Sequence, residues 1–378
     1  MRKTWLYRIY PNKKQTNALQ GVLDECRWVY NQTLALRKNT WETAQKSLSL
    51  YDTNKFIPLW RTERPSLANA QSHTLQNAQE RVELAFQAYF RRVKAGEKEV
   101  GYPRFKGYNQ YDSFTFKESG FSLKDGKLRV AKVGNIKLVL HRPIEGEIKT
   151  LTLRRRPTGK WYACFSVEIE PKRLPKLDNS VGIDIGLTTF AVLSDGAEIE
   201  NPRFFRKEEK ELVKVQRKLS STEKGTRERG FRRKAVSRTH ERIRFKRTDF
   251  SQQHSRKIVN NYGSIFVEDL QVNRMLHEHC FAKSISDAAW SGFFAMLLCK
   301  AEEAGRVYSA VNPAYTSQTC SRCGHRLLDK LKLSERVFDC PCCDLHMSRD
   351  LNAALNIKAV GLHSVSSPLE APPFTAGE

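Results

Sequence analysis

The spacing of apolar residues divides the chain into a strand-like start, a helical stretch, a run of strands and a second, mixed unit. Residues 3–10 (Lys-Thr-Trp-Leu-Tyr-Arg-Ile-Tyr) alternate in polarity as a short strand does, and Pro11-Asn12 closes it. From about Lys14 to Arg37 the period becomes helical, with Leu19, Leu23, Cys26, Val29, Tyr30 and Leu34 on one stripe. A second amphipathic helix is predicted from about Leu67 to Val93 through Ala70, Leu75, Val82, Ala85, Phe86 and Phe90. Gly101-Tyr102-Pro103-Arg104-Phe105-Lys106-Gly107 then breaks the pattern as a basic, aromatic loop. Residues 110–172 return to strand-like runs at Ser113–Phe116, Ile136–Leu140, Thr150–Leu153 and Tyr162–Ile169. They predict a small β-barrel or sandwich, with the first strand as a candidate member.

Lys172 to Asn179, beside Pro171 and containing Pro175, reads as a linker, and a new unit starts at Val181. Val181–Ile185 and Thr189–Leu193 predict a hairpin-rich sheet, with Asp195-Gly196 as a tight turn. Residues 207–250 predict a helical pair carrying sixteen Lys and Arg against seven acids. That excess exceeds what a merely solvated face needs, so the pair is expected to face nucleic acid. A strand at Ser264–Leu270, a helix from Asp287, a strand near Arg306–Val311, a cysteine cluster and a helix from Arg349 follow. The tail from Leu362 is rich in Ser and Pro and is expected to be loose. No internal repeats occur.

Charge narrows the function classes. The 378 residues carry a formal net charge of +24, which favours a polyanionic partner and strongly salt-dependent binding. The N-terminus has no apolar run resembling a signal peptide, and the longest apolar stretch, about Ala288 to Cys299, is too short to span a membrane. A cytoplasmic protein with no membrane partner is expected. Five of nine cysteines crowd into Cys320–Cys343, which reads as a metal site plus reduced thiols and not as a disulfide framework.

Cys320-Ser321-Arg322-Cys323 and Cys340-Pro341-Cys342-Cys343 have the spacing of a zinc ribbon, each C-x-x-C turn presenting two thiolates. Gly324 follows the first knuckle, where positive φ helps, whereas Asp344 takes that place in the second. Cys342 reads as a spacer, with His325 and His346 as less favoured substitute ligands. Four thiolates leave no open coordination position, so one structural Zn2+ is expected. Catalysis then falls to acids. Asp184 points away from the face shared by Val181, Ile183 and Ile185, and Gly182 and Gly186 leave room there for a ligand or a second backbone. Glu268 ends a strand, and Asp350 lies in the first turn of a helix opened by Ser348. Singly, these acids also read as a turn residue, an exposed strand end and a helix-dipole partner. Together they form the D…E…D set with which a ribonuclease H-like nuclease holds two Mg2+ ions roughly 4 Å apart. Asp-Ile-Gly-Leu-Thr-Thr also resembles the phosphate hairpin of actin-like ATPases, but a second Asp-x-Gly hairpin and a Gly-rich adenosine loop are missing.

Several motifs in chain order carry a resemblance. They are Arg8-Ile9-Tyr10-Pro11, Arg27-Trp28-Val29-Tyr30-Asn31, Leu75-Gln76-Asn77-Ala78 with Ala85-Phe86, and Gly101 to Lys106. Gly182-Ile183-Asp184-Ile185-Gly186, Val267-Glu268-Asp269-Leu270, Ser284 to Trp290, the cysteine knuckles and Arg349 to Ile357 continue the series. Over nearly its whole length the chain resembles TnpB, the insertion-sequence protein related to compact type V CRISPR nucleases. The resemblance implies an α+β multidomain fold with a wedge β-barrel, a helical recognition lobe and a ribonuclease H-like (RuvC) nuclease domain with an inserted zinc ribbon. The corresponding boundaries are 1–12 for the first wedge strand, 13–107 for the recognition lobe and 108–172 for the rest of the wedge. They continue with 180–318 and 345–362 for the nuclease domain, 319–344 for the ribbon and 363–378 for a flexible tail.

The resemblance further implies Mg2+-dependent double-strand cleavage with a guide RNA from the element's end, and a short flanking motif read on double-stranded target DNA. The family acids fall on Asp184, Glu268 and Asp350. Ser348 departs from the acid common there in relatives. A protein that delegates sequence reading to a guide mainly needs a basic channel, for which Arg217, Lys218, Arg232, Arg233, Lys234 and Arg242 are candidates. Gln76 and Asn77 are candidates for base-edge contacts, against the bland reading of solvated helix amides. Tyr102, Phe105 and Tyr108, beside Arg104 and Lys106, are candidates for stacking, against simple packing under the loop. A monomer within the ribonucleoprotein is expected. The alternatives are an RNA-guided repressor without cleavage and a strand-transfer transposase.

Overall fold

The computed structural model describes residues 1–366, apart from 109, 118, 125, 278–279, 330 and 332–333. The expected tail from 367 onward lies outside the described residues. Two compact units divide the chain at Glu170/Pro171.

The first unit runs β1 (Arg2–Tyr10), α1 (Lys13–Ala44), α2 (Leu50–Asn54), α3 (Phe56–Glu63), a 3-10 turn (Pro65–Asn69) and α4 (Ser72–Lys94). Six strands follow: β2 (Ser113–Lys117), β3 (Phe121–Lys124), β4 (Lys127–Val130), β5 (Gly134–Leu138), β6 (Glu147–Arg155) and β7 (Trp161–Glu168). All seven strands form one curled antiparallel sheet in the order β2-β6-β7-β1-β5-β4-β3, which removes the sandwich alternative. The first strand is a central one: alternation sends Trp5, Tyr7 and Ile9 into the core, and its partners β7 and β5 come from far along the chain. Asn12 and Gln15 cap α1 reciprocally, so the helix begins as soon as Pro11 ends the strand. Leu19, Leu23 and Val29 of α1 and Leu75, Ala78 and Val82 of α4 share one core with the sheet. Helix α1 runs seven residues beyond Arg37, and the short helices α2 and α3 had no counterpart in the sequence reading.

The second unit runs β8 (Ser180–Ile185), β9 (Thr189–Leu193), β10 (Glu198–Glu200), α5 (Phe204–Ser220), α6 (Arg227–Asn261), β11 (Ser264–Glu268), α7 (Val272–His277) and α8 (Ala282–Ala288). It ends with α9 (Trp290–Ala304), β12 (Val307–Val311), β13 (Val337–Asp339), β14 (His346–Ser348) and α10 (Arg349–Ser366). The main sheet has the order β10-β9-β8-β11-β12, antiparallel on the β9 side of β8 and parallel on the β11 side. This is the expected α+β architecture, with β13 and β14 pairing as a separate two-stranded sheet. Three boundaries differ from expectation. Asp287 does not open a helix: it lies in the last turn of α8, which stops at Ala288 because Ala289 at φ 55° breaks the chain before α9. The ribbon's second strand reaches Ser348, past residue 344. Helix α10 continues through Ser366, past residue 362.

Two glycines set the position of α10. A Cβ on Gly182 of β8 would lie 2.1 Å from the Ala354 carbonyl oxygen and 2.5 Å from the Lys358 nitrogen. A Cβ on Gly361 of α10 would lie 2.2 Å from the ring of the fully buried Phe266 in β11. Backbone therefore lies on backbone, and the helix spans the two central strands. Gly182→Ala should destabilise the protein by about 1–3 kcal/mol, because the obstacle is main chain and cannot rotate away. Gly21→Ala, inside α1 with nothing within 4 Å of the added Cβ, should instead stabilise by up to about 1 kcal/mol. Chemical denaturation of both variants checks the contrast.

Candidate active site and metal centres

The strand alternation that buries Val181, Ile183 and Ile185 turns Gly182 and Asp184 to the opposite face, the one α10 covers. Strand β11 runs parallel to β8 with Ser264 beside Ser180 and Val267 beside Ile183, so one step further Glu268 comes alongside Asp184. Asp350 is the second residue of α10 and reaches the same region from the helix's first turn.

The electrostatics of Asp184 register both neighbours. Burial pushes the Asp184 carboxyl well above the ordinary carboxylate range, and the Glu268 and Asp350 carboxylates push it further; Arg349 and the Ile185 N–H oppose this only in part. Burial also raises Glu268, against a hydrogen bond that the Thr316 hydroxyl donates to Glu268 Oε1 at 2.6 Å. Arg336 of β13's approach segment lies 3.9 Å from Asp350 Oδ2 and donates to the Thr188 hydroxyl at 2.9 Å. Three acids gathered where β8, β11 and the start of α10 meet offer a hard-oxygen donor set of the kind Mg2+ takes. Among the described residues, the four ribbon thiols are the only group of three or more potential ligands whose atoms all lie within 4.8 Å of one another. The Asp184, Glu268 and Asp350 carboxylates do not form a group that tight.

The ribbon brings together Cys320, Cys323, Cys340 and Cys343, all as free thiols. The Cys320–Cys343 and Cys323–Cys340 sulfurs are 3.6 Å apart. Four sulfurs about 2.3 Å from one Zn2+ sit about 3.8 Å from each other, so the set fits a tetrahedral ion. The two knuckles share one backbone scheme. Gly324 N–H donates to the Cys320 carbonyl and Cys320 N–H to the His325 carbonyl, while Asp344 and Leu345 repeat the pattern around Cys340. Asp344 takes φ 53° where Gly324 takes 75°, so the departure in residue type leaves the turn intact. Burial raises the Cys320 thiol, but the N–H groups of Cys323 and Arg322, together with the Cys343 and Cys323 thiols, outweigh it and bring the thiol to about 7. Cys342 is exposed and outside the cluster, and His346 pairs with Asp339 at 2.5 Å.

The candidate nucleic-acid contacts divide. On the α5–α6 pair, Arg217, Lys218, Arg233 and Lys234 are exposed, whereas Arg232 pairs with Glu228 and Arg242 with Glu208, at 2.9 and 2.8 Å. Gln76 is exposed on α4, but the Asn77 amide is occupied by Glu80 and Arg81 at 3.0 and 3.1 Å. Tyr102 packs edge-on against Phe86 and Tyr89, which favours the packing reading for that ring. Arg104, Phe105 and Tyr108 remain exposed. Lys106 is fixed through its main chain, which the Asn31 amide brackets at 2.8 and 3.0 Å.

Sequence reasoning gave no role to Thr316, Arg336, Asn352, Asn356 or Asp287. The buried Asp287 carboxylate accepts from Phe205 N–H at 2.8 Å and Arg206 N–H at 3.3 Å, capping α5, and pairs with Arg247 at 2.8 Å.

Three family profiles match in chain order: "Helix-turn-helix domain" over residues 1–46, "Probable transposase" (OrfB_IS605) over 164–278, and "Cas12f1-like, TNB domain" over 290–357. Here the first of these stretches is a strand followed by one long helix. A protein of Streptomyces pristinaespiralis named "Putative RNA-guided DNA endonuclease" is 32% identical over 369 residues, covering 96% of this chain and 90% of its own. The chain belongs to the TnpB family. Its similarity extends to the Escherichia coli K12 protein "Putative RNA-guided DNA endonuclease InsQ", 28% identical over 95% of this chain and 92% of that one. It also reaches the Cas12f1 endodeoxyribonuclease of Sulfoacidibacillus thermotolerans, at 29% over 53% of this chain and 50% of that one. A solved Cas12f1–sgRNA–target DNA complex aligns over 95% of this chain and 99% of that one, at 16% identity and a TM-score of 0.36. Among the described residues, no helix is long and apolar enough to cross a membrane.

A raised carboxyl stabilises the fold while protonated, and that contribution is lost as pH rises through its folded pKa. Asp184→Asn should therefore raise the thermal midpoint of the metal-free protein at pH 7, with a gain that shrinks toward acid, where the wild-type carboxyl is already neutral. It should also abolish stabilisation by added Mg2+; a lower midpoint at neutral pH contradicts the electrostatic reading. Cys320→Ser should strip bound zinc, measured by atomic absorption, and lower the midpoint. An unchanged midpoint with zinc absent would separate the ribbon from the fold of α10.

Proposed function

We infer that the protein is an RNA-guided DNA endonuclease that cuts both strands of its target at the centre formed by Asp184, Glu268 and Asp350. The observation that carries this reading is the convergence of the three carboxylates, two at strand ends and one at a helix start, in a chain of the TnpB family. Asp184 is raised by burial and by both other acids, as expected of a carboxyl that has the other two as neighbours. Glu268 is held by the Thr316 hydroxyl, and Asp350 is fixed by the helix that Gly182 and Gly361 admit. Asp184, Glu268 and Asp350 would hold Mg2+, which when bound would activate the attacking water and stabilise the leaving 3′ oxygen. The four thiolates hold a single Zn2+ with no open position, which serves structure.

The excess positive charge suits a guide RNA and a duplex DNA target, and the exposed Arg217, Lys218, Arg233 and Lys234 offer phosphate contacts. The curled sheet with its helices corresponds to a wedge and recognition lobe, Gln76 to a flanking-motif reader, and the second unit to a RuvC-like domain. The particle acts as one copy of this chain with one RNA.

Sequencing the RNA that co-purifies with the protein defines the guide. With Mg2+ and a matching duplex, the ribonucleoprotein should leave free ends on both strands. Asp184→Ala should lower the cleavage rate by roughly three orders of magnitude, about 4 kcal/mol of barrier, with DNA binding retained. Binding without nicking by the wild type would make the protein a repressor, and ends joined to a second DNA would make it a strand-transfer enzyme.

A further inference from the structure

Thr316, Asn352 and Asn356 are 6%, 0% and 9% exposed, an unusual degree of burial for polar side chains, and the two asparagines have no part in the reading above. The two asparagines sit one turn apart on the face of α10 that meets the segment leading into the first cysteine knuckle. The Asn356 amide donates to the Thr316 and Thr319 carbonyls at 2.8 and 2.6 Å. The Asn352 amide donates to the Thr319 carbonyl at 2.8 Å, and its oxygen accepts from Ser321 N–H, next to Cys320, at 2.9 Å. Turning either amide over would set oxygen against carbonyl oxygen, so the partners fix both orientations. The Thr316 hydroxyl then donates to Glu268 at 2.6 Å, with the Pro313 carbonyl as a longer alternative at 3.2 Å.

These contacts form one continuous path. It runs from Glu268 to Thr316, across Asn356 and Asn352 on the helix that carries Asp350, to the backbone of Cys320 and Ser321. Leu or Ala would pack this helix face without any need for satisfied hydrogen bonds. Two buried amides are sustained only where direction matters, because each fixes a partner in orientation as well as distance. Every member of the path has its partner, so the path transmits position and not merely proximity.

We propose that Thr316, Asn352 and Asn356 are positioning residues that lock Glu268 and Asp350 to the first cysteine knuckle, so that ion binding at the carboxylates and at the thiolates is mutually reinforcing. The proposal rests on the nuclease reading for the identity of the carboxylate site, but its readouts need no cleavage. Reciprocity follows from linkage: whatever the thiolate ion does for carboxylate affinity, an ion at the carboxylates must return.

The experiment uses the full-length, zinc-loaded protein, with Mn2+ as the probe. Free Mn2+ is followed by electron paramagnetic resonance and zinc release by a chromogenic chelator. Thr316→Val, nearly unchanged in volume, should weaken Mn2+ binding several-fold while leaving the thermal midpoint close to wild type, and Thr316→Ser should restore it. Saturating Mn2+ should slow zinc release from the wild type. Asn356→Asp, which keeps the size and removes the donors, should accelerate zinc release and abolish that Mn2+ effect. Wild-type Mn2+ affinity in Thr316→Val, or zinc release indifferent to Mn2+ in the wild type, overturns the proposal alone. A wild type that binds no Mn2+ overturns the carboxylate site and the proposal with it.

Discussion

The close approach of α10 to the middle of the second sheet is the constraint from which the rest of the site follows. Glycine at 182 and at 361 lets helix backbone rest on β8 and on the Phe266 ring, closer than any side chain would allow. That spacing places Asp350 over a sheet whose parallel register has already set Glu268 beside Asp184. A helix held one side-chain layer further out would leave three unrelated acids. Held this close, it makes a recess in which the Asp184 carboxyl responds to both others.

Such a recess is unfavourable in the metal-free protein, since like charges in a poorly solvated site repel. The surrounding structure offsets the repulsion by rigid means: a central strand, a parallel neighbour, a helix start and a hydroxyl on Glu268. The three acids belong to a strongly basic chain, and the α5–α6 pair, which carries several of its exposed cations, is anchored at the start of α5 by Asp287. The same logic explains why the ribbon matters to a centre it does not enter, because its first knuckle and α10 are tied through buried amides.

The elements that carry chemistry were legible because each has a local cause. Alternation in Val181–Ile185 sets the direction of Asp184, the strand ending at Glu268 is continuously apolar, and the cysteine spacing defines two knuckles. The room expected at Gly182 is occupied by a second backbone. What escaped was non-local or short. Helices α2 and α3 are too brief for a period to register, and the break at Ala289 depends on a backbone angle that its side chain does not announce. Asn77 is an exception, since Glu80 and Arg81, which occupy its amide, lie one turn away on the same helix. Asn352 and Asn356 were visible as polar residues on an apolar face, yet their partners lie more than thirty residues away. Thr316 and Arg336 gave no local signal at all, since only the tertiary fold brings them to the acids.

The most direct test of a shared centre is anomalous diffraction from crystals of the wild-type protein soaked in Mn2+. Two peaks about 4 Å apart, with Asp184 touching both and Glu268 and Asp350 on either side, are the predicted result. No peak among these carboxylates, or density only at acids elsewhere on the surface, would contradict the account.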